Sequence, residues 1–190
     1  MLPPFADALR KSLKLAVFDN VTLVDFVYKG STDNPRFGIS FNSANDLELR
    51  LSKEQMPAIG IMRIDYTYPP AMGDAAHPNS YYYRTPHATV KGLTFERAQK
   101  ADALTEADQA AMQAAIAELE SQADVTGIAG DCGFLINYQE SAVAMSKRVP
   151  CFISAMLQCP LLTSIYGSEA QFLVLTANGP NLTPALPAIL

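Results

Sequence analysis

From Pro57 onward, apolar runs of strand length alternate with segments of helical periodicity. This alternation predicts an α/β fold with a parallel sheet built from βαβ units, because parallel strands need helical crossovers between them. The predicted strands are "AIGIMRID", "ADVTGIAGD", "VPCFIS" and "AQFLVLTAN". We expect their core to include Ile61, Val125, Ile128, Phe152, Leu173 and Val174.

The clearest predicted helix is "LTEADQAAMQAAIAELESQ", in which a Thr105 cap is answered by Asp108. Its apolar stripe consists of Met112, Ala115, Ile116 and Leu119. Other helices are predicted from about Asn137 through Met145, through "LLTSIY", and at the start of "LTPALPAIL". In the last of these, Thr183 can cap the helix and Pro184 can occupy its first turn.

The sequence predicts two regions, residues 1–56 and residues 57–190. The first is predicted to be a small β-rich extension, because "LKLAVF" and "VTLVDFVY" flank a turn and "LELRL" alternates with period two. The second is the α/β domain. Within it, the long segment "YTYPPAMGDAAHPNSYYYRTPHATVKG" is typical of a lid, and its three adjacent tyrosines favour packing over a mobile linker. Capping of the sheet edge by these tyrosines is the alternative.

The composition is that of a soluble globular protein, with 49% hydrophobic residues and a net charge of −5. No basic cluster indicates nucleic-acid binding, and no signal peptide or membrane span is recognisable, so we expect a cytoplasmic protein. The three cysteines lack metal-ligand spacing, and His77 and His87 lie in one loop without a ligand motif. We expect no metal.

Polar residues follow the predicted strands at their carboxyl ends, where ligands bind in parallel α/β sheets. Arg63 and Asp65 follow the first strand, Cys132 the second and Ser154 the third, and Thr176 and Asn178 follow the fourth. The sequence therefore predicts a polar ring centred on a thiol.

Cys132 is the candidate catalytic residue, because a thiol at a helix N-terminus is expected to have a lowered pKa. Gly133 would let a substrate carboxylate approach the backbone and would accept a positive φ at a sharp turn. Asp131 would oppose the thiolate if its carboxylate pointed at the sulfur. The alternative is that Cys132 is a small buried core residue, which is the interpretation favoured for Cys151 and Cys159.

The blocks "GIMRIDYTYPP", "GIAGDCGFLINYQ", "VPCFISAMLQCPLL" and "FLVLTANGPNLTP" resemble the aspartate/glutamate racemase superfamily, in particular its uncharacterised aspartate/glutamate or hydantoin racemase-like branch. The resemblance covers roughly Pro57 to the C-terminus. It implies a flavodoxin-like half of the racemase fold, whose second half, with its own cysteine, would follow Leu190. The chain would then be either a fragment or a protein without two-base catalysis.

The resemblance also implies a cofactor-independent amino-acid racemase in which Cys132 transfers a proton at the substrate α-carbon. Asp65, Thr176 and Asn178 match polar positions of the family, and Arg63 and Ser154 fit carboxylate-binding positions. The expected partner is a small carboxylate or amino acid, and a homo-oligomer is compatible with the sequence. The alternatives are a single-cysteine decarboxylase or cis-trans isomerase of the same superfamily, or a binding remnant without catalysis.

Overall fold

The computed structural model describes residues 3–31, 57–167 and 169–182. Its centre is a four-stranded sheet with the order β2-β1-β3-β4, in which every neighbouring pair is parallel. The strands are β1 (Ala58–Asp65), β2 (His87–Thr94), β3 (Val125–Gly130) and β4 (Cys151–Phe152). The predicted α/β fold with a parallel sheet is confirmed.

The helices of the described residues surround this sheet. They are α1 (Ala6–Leu13), α2 (Asn20–Ser31), α3 (Phe95–Lys100), α4 (Glu106–Glu120), α5 (Gln139–Met145), α6 (Cys159–Tyr166) and α7 (Gly179–Leu182). Short 3-10 helices occupy Pro3–Phe5, Pro78–Ser80, Gly133–Tyr138 and Ala155–Gln158. None of the helices in the described ranges combines the length and the apolar character needed to cross a membrane.

Helix α4 forms where the sequence predicts it. The Thr105 hydroxyl accepts a hydrogen bond from the Asp108 amide, and the Asp108 carboxylate accepts one from the Thr105 amide, so the capping box is complete. The predicted apolar stripe is buried against one face of the sheet, together with Met62 and Ile64 of β1. Capping and periodicity agree here, which is why this prediction is confirmed.

The opposite face of the sheet is covered by α2 and by the tyrosines of the long loop. Leu23 and Val24 pack with Ile59 and Ile61 of β1. In the same cluster the ring of Tyr83 stacks on Tyr28, with centroids 3.6 Å apart. Tyr81 and Tyr83 of the loop are therefore packed against the sheet, as the sequence indicates, whereas Tyr82 is exposed.

The β-rich character predicted for the N-terminal region is wrong where the structure describes that region. "VTLVDFVY" lies in α2, because its apolar residues also recur at helical spacing and pack on the sheet as one stripe. The predicted strand "LELRL" lies outside the described residues. The division of the chain near Pro57 stays a prediction.

Two strand assignments need correction. Strand β2 lies inside the segment predicted to be a lid, where it pairs with β1. The stretch "AQFLVLTAN" forms no strand; Leu173, for example, is 68% exposed. Its apolar residues have no partner strand in the described structure, because β4 has only two residues and pairs with β3. The helix predicted from Thr183 lies outside the described residues.

Candidate functional site

Cys132 lies at the carboxyl end of β3, where the chain turns into the 3-10 helix Gly133–Tyr138. The end of β3 lies close to the backbone that follows β4, because a Cβ at Gly130 would lie 2.1 Å from the carbonyl oxygen of Ile153. The backbone of Cys132 is extended, with φ −128° and ψ 129°. Its side chain is only 8% exposed and belongs to the core cluster that also holds Phe134 and Leu135.

This burial determines the protonation of the Cys132 thiol. Burial raises the pKa of Cys132 to about 12, and the neighbouring Asp131 carboxylate raises it further, while the amides of Phe134 and Leu135 lower it. The expected low pKa is therefore wrong, because loss of solvent outweighs the amides of a short 3-10 helix. Unless a ligand changes its surroundings, Cys132 is a neutral thiol at neutral pH.

The two other cysteines lie away from the end of β3. Cys151 is buried in β4, as expected, whereas Cys159 is only half-buried at the first residue of α6. Burial raises the pKa of both thiols. All three cysteines are free.

Arg63 and Asp131 are the charged residues beside Cys132. The Arg63 guanidinium lies over the ring of Tyr66, 4.5 Å from its centroid, and its buried Nε has no hydrogen-bond partner. The Asp131 Oδ1 atom accepts a hydrogen bond of 3.1 Å from the amide of Ile64, but its buried Oδ2 atom has no partner. The described residues form three ion pairs, and Arg63 with Asp131 is not among them.

The Oδ2 atom of Asp131 is buried, although the residue as a whole is only half-buried. Burial raises the pKa of Asp131 to about 7, and the raising is limited by the Ile64 amide, the Tyr66 hydroxyl and Arg63. The group is thus divided between its neutral and ionised forms near neutral pH. A nearby charge of either sign would decide which form dominates.

Two aromatic residues complete this side of the sheet edge. The rings of Tyr66 and Tyr68 stack with centroids 4.3 Å apart, and Tyr68 remains 46% exposed. Burial, followed by nearby carboxylates, raises the pKa of both tyrosines, so their hydroxyls stay protonated at neutral pH. The stacked rings place aromatic faces and hydroxyl dipoles near Asp131 and Cys132.

His87 is the first residue of β2, and Thr85 lies two residues before it. Burial, followed by the Arg63 charge, lowers the pKa of His87 to about 4, so the imidazole is neutral at neutral pH. Its buried Nε2 atom and the hydroxyl of Thr85 have no hydrogen-bond partner. A buried polar group without a partner costs about 1–3 kcal/mol, so each of these two atoms lowers the stability of the fold.

Other members of the predicted ring have structural contacts. The Asp65 carboxylate accepts a hydrogen bond of 2.8 Å from the amide of Gly92, where φ is +82°. The buried Ser154 hydroxyl donates to the carbonyl of Gly133 at 2.7 Å and accepts from the Met156 amide. These contacts fix the turns around the site.

Gly133 does not have the positive φ expected of it. A Cβ at this position would meet no atom within 4 Å, so the space beside its backbone is open. Its predicted role as a point of close substrate approach stays a prediction, whereas its predicted conformational role is wrong.

Thr176 and Asn178 are not at the end of a strand, because the predicted fourth strand is not formed. The Asn178 side chain instead accepts a hydrogen bond of 3.3 Å from the Asn181 amide at the start of α7. The structure thus assembles Arg63, Cys132, Gly133 and Ser154 at the carboxyl edge of the sheet, and it removes the geometric reason for including Thr176 and Asn178.

Sequence reasoning missed Tyr66 and Tyr68 as neighbours of this edge, and it missed the buried polar atoms of Thr85 and His87 at the start of β2. The tyrosines directly follow β1, so the rule that ligands bind beyond strand ends could have found them. Thr85 and His87 could not be placed without recognising β2. Asp131 was identified only as an obstacle to the thiolate, not as a buried group of its own.

A separate groove of about 400 Å³ lies between α1, α2 and the loop that follows β1. Its lining includes Asp7, Arg10, Asp25 and Met72 but not Cys132 or Asp131. We therefore place the candidate site at the carboxyl edge of the sheet, where Arg63 and Asp131 each have a buried atom without a partner, and not in the groove.

Comparison with known proteins identifies similar lyases. Dimethylsulfoniopropionate lyase 5 of Emiliania huxleyi (strain CCMP1516) is 49% identical over 193 residues, which cover 97% of this chain and 38% of that protein. Dimethylsulfoniopropionate lyase 3 of the same strain is 39% identical over 141 residues, covering 74% of this chain and 36% of that protein. No protein-family model and no solved structure matches the chain.

A third relative comes from another organism. The dimethylsulfoniopropionate lyase of Durusdinium sp. clade D is 31% identical over 127 residues, which cover 67% of this chain and 42% of that protein. The chain thus spans about two fifths of the length of the curated relatives that it matches.

These relatives overturn the expectation drawn from the racemase resemblance. They are named lyases, so the assignment to a racemase or isomerase is wrong. The short sequence blocks misled because a thiol after an apolar strand does not specify which bond is broken. The alternative of a single-cysteine decarboxylase, itself a carbon-bond lyase, is closer to these names. Over nearly all of its length the chain is similar to a dimethylsulfoniopropionate lyase.

Proposed function

We propose that this chain contributes the thiol-bearing part of a lyase that splits dimethylsulfoniopropionate at its carbon–sulfur bond. The observation that carries the proposal is the 49% identity to a dimethylsulfoniopropionate lyase over 97% of the chain. The carboxyl edge of the sheet supports it, because Cys132, Asp131 and Arg63 supply proton-transfer and charge-binding groups there.

The chemistry of the substrate defines what the site must do. Dimethylsulfoniopropionate carries a carboxylate on one carbon and a dimethylsulfonium group on the adjacent carbon. A base removes a proton from the carbon beside the carboxylate, a carbon–carbon double bond forms, and the carbon–sulfur bond breaks. The electron pair of that bond leaves with sulfur as neutral dimethyl sulfide, and acrylate remains. The enzyme must therefore supply a base and bind two opposite charges.

Cys132 is the proposed base. In the free protein its pKa is raised to about 12 by burial, so the thiol must first release its proton to solvent before it can accept the proton of the substrate. A sulfonium cation bound nearby favours the thiolate, because an opposite charge lowers the pKa of an acid. Substrate binding itself thus prepares the base, and water-exposed thiolate is avoided in the empty site.

The test is the release of dimethyl sulfide and acrylate. The purified 190-residue chain is incubated with dimethylsulfoniopropionate, and so is a chimera of Emiliania huxleyi lyase 5 in which this chain replaces the matching segment. Dimethyl sulfide is measured in the headspace and acrylate by proton NMR. We expect at least the chimera to release dimethyl sulfide and acrylate in equal amounts. The Cys132→Ser variant is expected to release them about a thousandfold more slowly.

Cys159→Ser is the matched control, because it removes a half-buried free thiol that lies outside the site. It is expected to keep the activity within about twofold. A folded chimera without product, or a Cys132→Ser variant as active as Cys159→Ser, would contradict the proposal.

A further inference from the structure

Among the described residues, four buried side-chain polar atoms have no hydrogen-bond partner: Arg63 Nε, Thr85 Oγ1, His87 Nε2 and Asp131 Oδ2. Arg63 lies near the end of β1 and Asp131 directly follows β3, so these two lie at the carboxyl edge of the sheet, whereas His87 begins β2 and Thr85 precedes it. Buried polar groups in native proteins are nearly always satisfied. Two such atoms on neighbouring charged residues at the carboxyl edge, Arg63 and Asp131, therefore point to something that completes them.

The strand register brings the two charged members together. The amide of Asp131 donates to the carbonyl of Met62, and its carboxylate accepts from the amide of Ile64, so Asp131 lies directly beside Arg63 of β1. Neighbouring strands are about 4.8 Å apart. Arg63 and Asp131 nevertheless form no ion pair, because the guanidinium lies over the Tyr66 ring.

We infer that Arg63 and Asp131 form a seat for a zwitterion, in which Arg63 binds the carboxylate and Asp131, with the Tyr66 and Tyr68 rings, binds the onium cation. This inference rests on the proposed function and names the residues that would recognise the two charges of its substrate. Aromatic faces attract quaternary cations, and a guanidinium is the preferred partner of a carboxylate.

The charge balance favours a zwitterion over a singly charged ligand. A simple anion would satisfy Arg63 but would lie beside the Asp131 carboxylate, and a simple cation would satisfy Asp131 but would lie beside the guanidinium. Three covalent bonds separate sulfur from the carboxyl carbon in dimethylsulfoniopropionate, so one molecule presents opposite charges close together, as two neighbouring residues on adjacent strands do. His87 is neutral at neutral pH and leaves this balance unchanged.

The test compares probes that cannot eliminate dimethyl sulfide. Binding of 3-(trimethylammonio)propionate is measured by NMR titration of the 190-residue chain and of the lyase 5 chimera, alongside the anion 4,4-dimethylpentanoate and the cation tetramethylammonium. We expect the zwitterion to bind at least tenfold more tightly than either single charge. Arg63→Gln is expected to reduce the preference for the zwitterion over tetramethylammonium to about twofold. Asp131→Asn is expected to reduce the preference for the zwitterion over the anion to about twofold.

Arg84→Gln and Asp124→Asn are the matched controls, because these residues form an ion pair at the opposite, amino-terminal edge of the sheet. Both should bind all three probes within twofold of the parent. Thermal unfolding of each variant shows that it is folded. Absence of zwitterion binding in the chain and in the chimera, equal binding of the three probes, or equal losses in the control variants would overturn the seat.

The two proposals fail in different ways. If the chimera releases dimethyl sulfide while Arg63→Gln and Asp131→Asn bind the probes like the parent, the seat is wrong and the lyase function stands. If the zwitterion binds as expected but the folded chimera releases no dimethyl sulfide, the lyase function is wrong and the seat is left as a binding site for onium carboxylates.

Discussion

Two Arg and Asp pairs lie at opposite ends of the same sheet, and they differ in how well they are satisfied. At the amino-terminal edge, Arg84 donates to Asp124 at 2.6 and 3.0 Å and to the Gln122 side chain at 3.3 Å. At the carboxyl edge, Arg63 and Asp131 are neighbours without an ion pair, and each has a buried atom without a partner. The first pair is complete within the fold, whereas the second needs a ligand to complete it. Unsatisfied burial, not charge alone, therefore distinguishes the candidate site.

The largest expected effect concerns the stability cost of the Asp131 carboxylate. Burial raises the folded-state pKa of Asp131 to about 7 from 3.8, so the folded protein binds the proton more tightly than the unfolded chain. Its contribution to stability is fully present below about pH 4 and is lost as the pH rises through 7. Asp131→Asn keeps the acceptor for the Ile64 amide but cannot ionise. Its stability relative to the parent should therefore increase by about 2–3 kcal/mol between pH 5 and pH 8.

Urea unfolding of the parent and Asp131→Asn at both pH values measures this difference. Asp124→Asn is the control, because its carboxylate is about one third exposed and is paired with Arg84. A stability difference between the parent and Asp131→Asn that did not change with pH would show that the Asp131 carboxyl is not held in a costly site.

The second prediction concerns the thiol next to Asp131. After burial, the Asp131 carboxylate is the largest cause of the raised pKa of Cys132, so its removal should increase the thiolate fraction. We expect Asp131→Asn to accelerate alkylation of Cys132 by iodoacetamide at pH 8 by about tenfold, which corresponds to one pKa unit. Peptide mass spectrometry after brief labelling gives the rate for each cysteine, and Cys159 serves as an internal reference.

Asp124→Asn should leave the alkylation rate of Cys132 unchanged, because Asp124 precedes β3 and Cys132 follows it. Equal acceleration in both variants would mean that the effect is general loosening of the fold. In the parent protein, the half-buried Cys159 is expected to react before Cys132.

The smallest effect is expected at the satisfied pair. Asp124→Asn removes an ion pair whose side chains are 37% and 35% exposed, and such partly exposed pairs contribute about 0–1 kcal/mol. Unfolding free energy should fall by no more than that, and the loss should shrink in 1 M NaCl because salt screens the pair. A loss above about 3 kcal/mol would show that Arg84 and Asp124 behave as a buried pair.

The sequence predicts those parts of the fold in which local signals agree. Helix α4 has both a capping box and an apolar stripe, and β1 and β3 are apolar runs between polar turns. In contrast, "VTLVDFVY" suits either a strand or a helix by its residue types, and only packing on the sheet makes it α2. The run "FLVLT" has strand composition but no partner strand in the described structure.

The candidate site, like the fold, could be predicted from the sequence only in part. The rule for carboxyl ends of strands correctly places Arg63, Cys132 and Ser154 at one edge. It could not reveal that Cys132 is buried or that Asp131 Oδ2 lacks a partner, because solvent exposure and hydrogen bonding depend on all the elements packed around an atom. The proposed reaction class required the comparison with relatives.

The most direct test of the difference between the two pairs is the steady-state kinetics of dimethyl sulfide release by Arg63→Gln and Arg84→Gln in the lyase 5 chimera. Both variants remove one guanidinium from the same sheet, one at each edge. We predict that Arg63→Gln raises KM for dimethylsulfoniopropionate at least tenfold, because the carboxylate loses its partner. Arg84→Gln should leave KM within about twofold. Equal changes in KM, or a larger change in Arg84→Gln, would contradict the assignment of the ligand-binding role to the unsatisfied pair.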